Sequence, residues 1–410
     1  MKPIKSNLCP VCKNQLWRHR YNCSVMQRIL LQKNFKQKIK EDISGSSPPA
    51  VLVGEWKYPK INVGVLLPQE FGNTKIYDAP KEWFNRRFSI EDVFRLRLNL
   101  FDAKQKFLVD SASKPDRVLQ TMQEIAASSI SADAEIVFEK KPFFALHVDP
   151  YLPPYGPTGN VKSIVTGNVK IERKVDYVIC DVDLKAEDAV KKLYENGYDV
   201  YDITKIFSVG LLGLKIQRKL VPTRWAITAV DSIIIKDLLR KVKEYQEINS
   251  YMLFEANYMG NYFEVVLLPN KWMFEVLEIA VPGAEWMLGR KEPVIANDFE
   301  FFTGKKDYAS NVAGAYYAAK LAVLEYLSGI KKQASVLVLR EIRPEYYASV
   351  GVWKVRECLR DMFMREPLVF ESFDEVIKRV DEKFMVKSNI WKEKSVLWRF
   401  MKRQKQLRDF

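Results

Sequence analysis

The chain has 410 residues, which is too long for one ordinary hydrophobic core and predicts about two or three domains. Its composition, with 48% hydrophobic and 28% charged residues, excludes intrinsic disorder over most of the length. The apolar runs fall short of the roughly 18 residues that span a bilayer. No apolar segment follows the basic N-terminus as it would in a signal peptide, so we expect a cytoplasmic protein without a membrane partner.

The positive charge is concentrated at the two ends of the chain. The net charge is +14, of which residues 1–40 contribute +10 and residues 387–410 contribute +6, while the remainder carries −2. Basic blocks at chain ends are typical of nucleic-acid contacts, although they also occur as solubilising tails. We therefore expect DNA as a partner, with RNA as the weaker alternative, and a location at the nucleoid.

The N-terminal 23 residues contain a candidate metal site. Cys9 and Cys12 form a Cys-x-x-Cys turn, which directs two thiolates toward one tetrahedral ion. Cys23 is the natural third ligand, and His19 is a candidate for the fourth. A redox pair and free cysteines are the alternatives, but a redox motif would follow a buried strand, and residues 1–8 are a poor strand. The pattern predicts a zinc knuckle whose folding depends on the metal.

Composition along the chain predicts the domain organisation. The zinc knuckle continues into a basic helix over 24–41, and the run Ser44-Gly45-Ser46-Ser47-Pro48-Pro49 predicts a linker. The predicted segments are 1–43 for the knuckle and helix, 44–50 for the linker, 51–300 and 301–386 for two body domains, and 387–410 for a basic tail.

The body mixes predicted helices and strands without a regular alternation, so the predicted fold class is α+β, with a mixed α/β body. Strands are predicted at 51–53, 61–65, 177–180, 200–203, 262–269, 273–280 and 335–339. Helices are predicted at 88–108, 116–127, 186–196, 231–247, 313–327 and 353–366. Residues 141–162, rich in Pro, Gly and Tyr, predict a long loop.

One block of the body combines cations with an aromatic residue. Arg218, Lys219, Arg224 and Trp225 lie within eight residues, in what reads as a part-buried loop and strand. Guanidinium groups match phosphate geometry, and an indole ring stacks on bases. The block therefore predicts either a nucleic-acid or phosphate site, or buried arginines paired with carboxylates, and the sequence favours neither.

Other candidate chemistry in the body is weaker. Asp181 and Asp183 follow a predicted strand and would share one face, where a pair of carboxylates can hold Mg²⁺. Carboxylates at strand ends more often cap the next element, and this reading is favoured. Cys180 and Cys358 lie in apolar stretches and are predicted to be core residues. No phosphate-binding loop, dinucleotide fingerprint, nucleophile elbow or zinc-protease motif is present, so the sequence names no reaction.

The last seven residues read Gln-x-x-Leu-x-x-Phe. In one turn of 3₁₀-helix Leu407 and Phe410 eclipse each other and form an apolar plug, while Gln404 offers an amide one turn earlier. This pattern resembles the box with which replication and repair proteins dock on the sliding clamp (PCNA). The alternative is a terminal turn that folds back on its own domain.

Several blocks of the body resemble one protein family. They are Asp78–Trp83, Arg218–Asp231, Gly314–Tyr317, Arg340–Glu341 and Gly351–Glu357. In order and spacing they resemble the archaeal Nre family of DNA-repair proteins, which is also similar in having a zinc motif at the start and a clamp-binding box at the end. The chain departs from the family pattern in lacking a fourth N-terminal cysteine and in carrying Glu55 where an arginine is usual.

Two functional hypotheses follow. The first is a DNA-repair factor that binds DNA and docks on the sliding clamp through Gln404, Leu407 and Phe410. The alternative is an enzyme that modifies nucleic acid, such as a nuclease or a nucleotidyl- or ADP-ribosyl-type transferase, using the 218–231 block. The surroundings of Arg224 distinguish them, because a catalytic arginine needs an open cleft and a structural one a buried partner.

Overall fold

The fold was analysed in a computed structural model, which describes residues 39–144, 152–284 and 290–403. The described residues form two compact units, the first ending at Ile234 and the second beginning at Ile235. Each unit is built on its own six-stranded sheet.

The first unit contains a sheet with the strand order β1-β5-β6-β4-β3-β2. Neighbouring strands are antiparallel except β4 and β6, which are parallel. The strands are β1 Asp42–Ser47, β2 Ala50–Val53, β3 Lys60–Leu67, β4 Phe101–Leu108, β5 Ala132–Phe138 and β6 Thr158–Thr166. Alternating β-branched residues of β3, Ile61, Val63 and Val65, face the core and are fully buried.

Seven helices begin in the first unit, counting only the described residues. They are α1 Pro80–Asn85, α2 Ile90–Leu98, α3 Arg117–Ala127, α4 Arg173–Cys180, α5 Ala186–Glu195, α6 Val200–Ser208 and α7 Thr223–Val242. The amphipathic helix α3 packs Leu119, Met122 and Ile125 into the same core as the sheet. Helix α7 contains the boundary at Ile234 and continues into the second unit.

The second unit contains a sheet with the order β10-β9-β11-β8-β7-β12. Its strands are β7 Tyr251–Tyr258, β8 Asn261–Leu268, β9 Met273–Ala280, β10 Val294–Glu300, β11 Ser335–Ile342 and β12 Leu368–Phe370. Its helices are α8 Gly314–Gly329, α9 Trp353–Met362, α10 Phe373–Lys383, α11 Ser388–Trp391 and α12 Val396–Arg403. Strand β11, parallel to β9 and antiparallel to β8, is buried at every position.

The mixture of helices and strands confirms the predicted α+β body. The predicted strands at 51–53, 61–65, 262–269, 273–280 and 335–339 are present, as are the predicted helices at 116–127, 186–196, 313–327 and 353–366, with shifted ends. None of the described helices combines the length and the apolar character needed to cross a membrane. Most of the predicted basic helix at 24–41 lies outside the described residues, and residues 39–41 are not helical.

The predicted linker at 44–50 is wrong. These residues form most of β1, which pairs with β5, and Ser46 and Ser47 are fully buried. A Cβ atom at Gly45 would lie 2.0 Å from the carbonyl oxygen of Pro68, so the position needs glycine for close packing. The small residues of this run therefore allow two backbone segments to approach closely, whereas their composition alone predicted a linker.

The predicted helix at 88–108 is wrong in its second half. Helix α2 ends at Leu98, where the side chain of Asn99 donates a hydrogen bond to the carbonyl of Arg95 at 2.8 Å. The chain then enters β4, which pairs with β3 along its whole length. Phe101, Ala103 and Phe107 are buried at even spacing, as in a strand. The prediction missed this spacing because it treated 88–108 as one continuous helix.

The predicted strands at 177–180 and 200–203 are helices α4 and α6. Four largely apolar residues do not distinguish a strand from a turn of helix. In α6 the N-cap Asp199 accepts a hydrogen bond from the backbone N–H of Tyr201 at 3.2 Å, which starts the helix. Cys180 is exposed at the end of α4 and is therefore not a core residue, whereas Cys358 is buried as predicted.

Two other predicted segments change. The last residues of the predicted loop at 141–162 belong to β6, which begins at Thr158. In the predicted basic tail, residues up to Arg403 include α11 and α12, and the buried side chains of Trp391 and Leu397 join the core of the second unit. Residues 404–410 lie outside the described residues.

Helix α12 is fixed to the sheet by Glu275 of β9. This fully buried carboxylate accepts hydrogen bonds from the hydroxyl of Ser395 at 2.7 Å and from the backbone N–H groups of Val396 and Leu397 at 2.8 and 2.9 Å. A negative charge at a helix N-terminus satisfies N–H groups that have no partner within the helix and interacts favourably with the helix dipole. The C-terminal helix is therefore part of the folded unit.

A buried carboxyl group in β8 makes the stability of the second unit depend on pH. Glu264 is buried, and its Oε2 atom has no hydrogen-bond partner among the described residues. Burial, together with the negative charge of Glu255 opposite it on β7, raises the pKa of Glu264 to about 9. The group is therefore protonated in the folded chain at neutral pH.

We expect Glu264→Gln to raise the free energy of unfolding at about pH 7 by about 3 kcal/mol. The folded wild-type chain binds more protons than the unfolded chain between the two pKa values, so its stability falls as pH rises from about 4.5 to about 9. Urea unfolding at about pH 5 and about pH 8 checks this, since the gain should be larger at the higher pH. The exposed Glu366→Gln is the control, and an unchanged pH dependence in Glu264→Gln would contradict the assignment.

Candidate nucleic-acid interface

The 218–231 block lies where a loop enters the longest described helix. A short 3₁₀ turn at Lys215–Gln217 precedes it, and α7 begins at Thr223, so the second half of the block is helical and not the predicted strand. The backbone N–H groups of Trp225 and Ala226 donate to the carbonyl of Pro222 at 2.8 and 2.9 Å and form the first turn. The helix predicted at 231–247 therefore starts eight residues earlier and ends at Val242.

The hydroxyl of Thr223 anchors the start of α7. Its Oγ1 atom accepts a hydrogen bond from the backbone N–H of Val53 at 2.8 Å and lies 3.2 Å from the hydroxyl of Ser208. Val53 ends β2, an edge strand, and this N–H points away from the neighbouring strand β3. The contact places the first turn of α7 beside the turn that joins β2 to β3.

Glu55, in that turn, binds two side chains of the block. Its Oε1 atom lies 3.1 Å from Nη1 of Arg224, and its Oε2 atom accepts a hydrogen bond from the indole N–H of Trp225 at 3.1 Å. All three side chains remain partly exposed. Arg224 is therefore paired with a carboxylate on the protein surface, which is neither an open cleft nor a buried ion pair.

Three exposed aromatic side chains lie in the β2–β3 turn and in the first turn of α7. Trp56, Tyr58 and Trp225, which we call the aromatic surface, are 63%, 50% and 45% exposed. The ring centroids of Tyr58 and Trp225 are 5.3 Å apart and the rings are tilted by 43°. Large aromatic residues normally bury most of their area, so three exposed rings in one region favour a binding role. Such rings can stack on unpaired bases regardless of sequence.

The two other cations of the block have different roles. Arg218 is partly buried, and its guanidinium donates to the backbone carbonyls of Gly213 at 2.9 Å and Ile179 at 2.7 Å. Burial lowers the pKa of this arginine. Lys219 is exposed and lies 3.3 Å from Asp110, also exposed. Arg218 therefore joins the loop to the end of α4, while Lys219 is a surface residue.

Most of the other predicted site residues lie outside the part of the chain that the structure describes. They are Cys9, Cys12, His19 and Cys23 of the predicted zinc site and Gln404, Leu407 and Phe410 of the predicted clamp-binding box, so both sites stay predictions. Asp181 and Asp183 follow a helix and do not share a strand face as predicted. Within 39–144, 152–284 and 290–403 no group of three or more His, Cys, Asp or Glu residues is arranged to hold a metal ion.

The sequence patterns missed Glu55, Trp56 and Tyr58 as members of the site. Glu55 meets Arg224 across 169 positions of the chain, and no local spacing predicts such a contact. The available signal was the composition of the β2–β3 turn, where two aromatic residues and Lys57 lie within four positions. A turn rarely carries two large aromatic residues unless they contact something outside the core.

Comparison with protein families covers nearly the whole chain. Residues 18–287 match the family described as Archaeal Nre, N-terminal, and residues 300–410 match Archaeal Nre, C-terminal. The chain belongs to the archaeal Nre family. This confirms the family resemblance that the sequence blocks indicated. Both the aromatic surface and the 218–231 block lie within the N-terminal match.

Three curated relatives of this Nre family member are similar over most of their length. The DNA repair protein NreA of Archaeoglobus fulgidus is 39% identical over 92% of this chain and 94% of its own. The DNA repair protein NreB of the same organism is 35% identical over 96% of this chain and all of its own. The DNA repair protein NreA of Haloferax volcanii is 33% identical over 85% of this chain and 86% of its own. No solved structure has significant similarity to the chain.

We expect Arg218→Ala to lower the free energy of unfolding by about 2 kcal/mol, because two carbonyl groups lose a charged donor in a partly buried site. The adjacent Lys219→Ala is the matched control and should change it by less than about 0.5 kcal/mol, since an exposed ion pair contributes little. Urea unfolding followed by circular dichroism measures both. Equal effects of the two substitutions would show that Arg218 is not structural.

Proposed function

We propose that this protein acts in DNA repair at the nucleoid and that its aromatic surface binds unpaired bases of DNA. The repair role is supported by the three relatives, whose names state it and which align over 86% to 100% of their own length. The observation that supports the binding site is the exposure of Trp56, Tyr58 and Trp225 beside Arg224.

The electrostatics of the aromatic surface favour stacking over phosphate binding. Glu55 neutralises much of the charge of Arg224 and would repel a phosphate group at the same point. A duplex hides its bases within the helix, whereas single strands and frayed ends expose them to aromatic rings. We infer that this surface distinguishes unpaired from paired DNA and that most phosphate contacts lie elsewhere on the protein.

The basic N-terminal segment is the proposed source of those phosphate contacts. It carries +10 over residues 1–40, and the zinc knuckle formed by Cys9, Cys12, His19 and Cys23 would order it. Zinc is the proposed cofactor because the first three ligands are thiolates. The resulting attraction to DNA is electrostatic and would weaken as salt rises.

The proposed second partner is the sliding clamp (PCNA), bound through Gln404, Leu407 and Phe410. This proposal rests on the sequence pattern and on the resemblance of the chain's end to a clamp-binding box. The enzymatic alternative has less support, because Arg218 is held by backbone carbonyls and Arg224 by Glu55. Neither pairing favours a reaction centre built on these arginines.

We expect Trp225→Ala to weaken binding of a single-stranded oligonucleotide about 5- to 150-fold, which corresponds to the loss of one base stack at about 1–3 kcal/mol. Fluorescence anisotropy at fixed salt measures the affinity. The control is Phe71→Ala, an aromatic residue that is also exposed and lies beyond the opposite end of β3, a strand about 23 Å long. A loss of the same size with Phe71→Ala would refute a specific role for the aromatic surface.

Glu55→Gln tests the electrostatic part of the same proposal. Removing the carboxylate charge takes away the repulsion of a phosphate at Arg224, so binding at low salt should strengthen and the slope of log affinity against log salt should steepen by about 1. Stability should change by less than about 1 kcal/mol, because the pair is partly exposed. Weaker binding with an unchanged slope would mean that Glu55 itself contacts the DNA.

We expect deletion of residues 404–410 to abolish co-elution with the sliding clamp in gel filtration while leaving the unfolding midpoint unchanged. The double substitution Leu407→Ala and Phe410→Ala should have the same effect, because these side chains form the proposed apolar plug. The matched control is Lys405→Ala, which changes a position between the fixed residues of the box. Co-elution that survives both the deletion and the double substitution would exclude this docking site.

A further inference from the structure

The first unit also contains a cleft beside α6. It has a volume of about 360 Å³ and is bordered by the start of α1, the end of α3 and the side chains of Tyr198, Asp202 and Lys205. The block Asp78–Trp83 supplies part of one wall. This volume lies within the range of pockets that bind small molecules.

The cleft is held open by buried contacts behind its wall. Arg97 is buried and donates to Asp78 at 2.7 Å and to the backbone carbonyl of Pro154 at 2.9 Å. The fully buried Trp83 donates its indole N–H to the carbonyl of Ile76 at 2.6 Å. Because Arg97 holds the cleft-lining Asp78 from behind, a ligand would meet a wall that is already ordered.

Charges around the cleft are balanced in pairs. The ammonium of Lys205 lies 2.9 Å from Asp202, and that of Lys81 contacts Asp199. Asp202 is 56% exposed, so an acceptor next to a donor remains accessible at the wall. Lys75 also lines the cleft and is exposed. The arrangement suits a polar ligand that offers donors and acceptors side by side, more than a strongly charged one.

Both members of the Asp202–Lys205 pair stay charged at neutral pH. Burial acts to lower the pKa of Lys205, but the carboxylates of Asp202, Asp78 and Asp199 outweigh it and raise that pKa. Partial desolvation at the cleft wall likewise acts to raise the pKa of Asp202, but Lys205, Lys75 and Lys81 outweigh it and lower that pKa. A permanently charged amine is no nucleophile and a weakly basic carboxylate is a poor proton acceptor, so the cleft favours recognition over catalysis.

We propose that this cleft binds a single nucleobase through its hydrogen-bonding edge. Base edges present adjacent donors and acceptors, which Asp202 and Lys205 complement, as carboxylates and ammonium groups do when they read bases in DNA. Pro48, Pro49 and Ala127 provide apolar wall area for the faces of the ring. Lys75 at the rim can meet the phosphate of the same nucleotide.

The position of the cleft connects it to the aromatic surface. Helix α6 carries Asp202 in its first turn and Lys205 in its last turn, and it ends at Ser208, which contacts Thr223 at the start of α7. Asp202 and Ser208 are six residues apart, or about 9 Å along the helix axis. A base extruded from a strand on the aromatic surface would thus find the cleft close by, as in proteins that flip bases into pockets. This source of the base rests on the proposed DNA binding, whereas a free nucleoside would need no DNA.

The test uses the full-length protein and an oligonucleotide with 2-aminopurine opposite a mismatch. The emission of this base rises when it leaves the stack, and anisotropy of a terminal dye measures DNA binding on the same sample. We expect wild-type protein to raise the emission, and Asp202→Asn and Lys205→Met each to abolish the rise while affinity for DNA changes less than about threefold. Asp188→Asn, on the exposed face of α5, is the matched control and should behave as wild type.

A second arm measures the binding of free deoxynucleosides by equilibrium dialysis. Binding that Asp202→Asn weakens about tenfold or more, without any rise in 2-aminopurine emission, would support the cleft with a free nucleoside as its ligand. DNA binding with neither an emission rise nor nucleoside binding would overturn the cleft proposal and leave the DNA-binding proposal intact. Nucleoside binding by a protein that fails to bind DNA would overturn the DNA-binding proposal and leave the cleft proposal intact. Circular dichroism of each variant confirms that it is folded.

Discussion

The hydrogen bond from the backbone of Val53 to the hydroxyl of Thr223 is the constraint on which the candidate interface depends. It joins the last residue of an edge strand to the first residue of a 20-residue helix, and the two lie 170 positions apart in the chain. With Ser208 at the same hydroxyl, three elements meet at one buried point. The residues of the surface follow within five positions of this junction, because Glu55, Trp56 and Tyr58 come after Val53 while Arg224 and Trp225 come directly after Thr223.

The two proposed sites divide recognition between them in chemical terms. The aromatic surface offers ring faces and little net charge, since Glu55 offsets Arg224. The cleft offers an accessible carboxylate and ammonium in contact, held by buried residues behind the wall. Stacking on the aromatic surface would accept any base, whereas hydrogen bonds to a base edge in the cleft would distinguish one base from another. Helix α6 links the two, so a displacement at Ser208 would be transmitted to Asp202 through one rigid element.

The sequence predicted the second unit's sheet better than the first unit's, and the reason is local. Strands β8, β9 and β11 are eight residues long and mostly apolar, which is a strong signal. By contrast, β1 contains a single apolar residue, Ile43, and its strand character comes from pairing with β5 and from close packing against residues 68–70, which are tertiary effects. The short, largely apolar runs at 177–180 and 200–203 are compatible with both a strand and a helix, and at 200–203 the N-cap Asp199 favours the helix.

For the candidate site, the residue types of the 218–231 block were predictable and their partners were not. The sequence indicated that Arg218, Lys219, Arg224 and Trp225 belong together, yet the structure assigns Arg218 to the scaffold and Lys219 to the open surface. Only Arg224 and Trp225 join the turn after β2. The difference depends on Gly213, Ile179 and Glu55, none of which is within a helical turn of the residue it contacts.

The capping of α12 by Glu275 has a consequence for any complex formed through the end of the chain. The last described helix is bound to the sheet at its first turn and ends at Arg403, directly before Gln404. Even fully extended, the chain from Arg403 to Leu407 reaches only about 14 Å. A clamp bound at Leu407 and Phe410 would therefore hold the second unit close to its own surface. Such a short connection would limit the distance between the protein and the DNA that passes through the clamp. Inserting residues into it would change which part of the DNA the protein can reach without changing its affinity for the clamp.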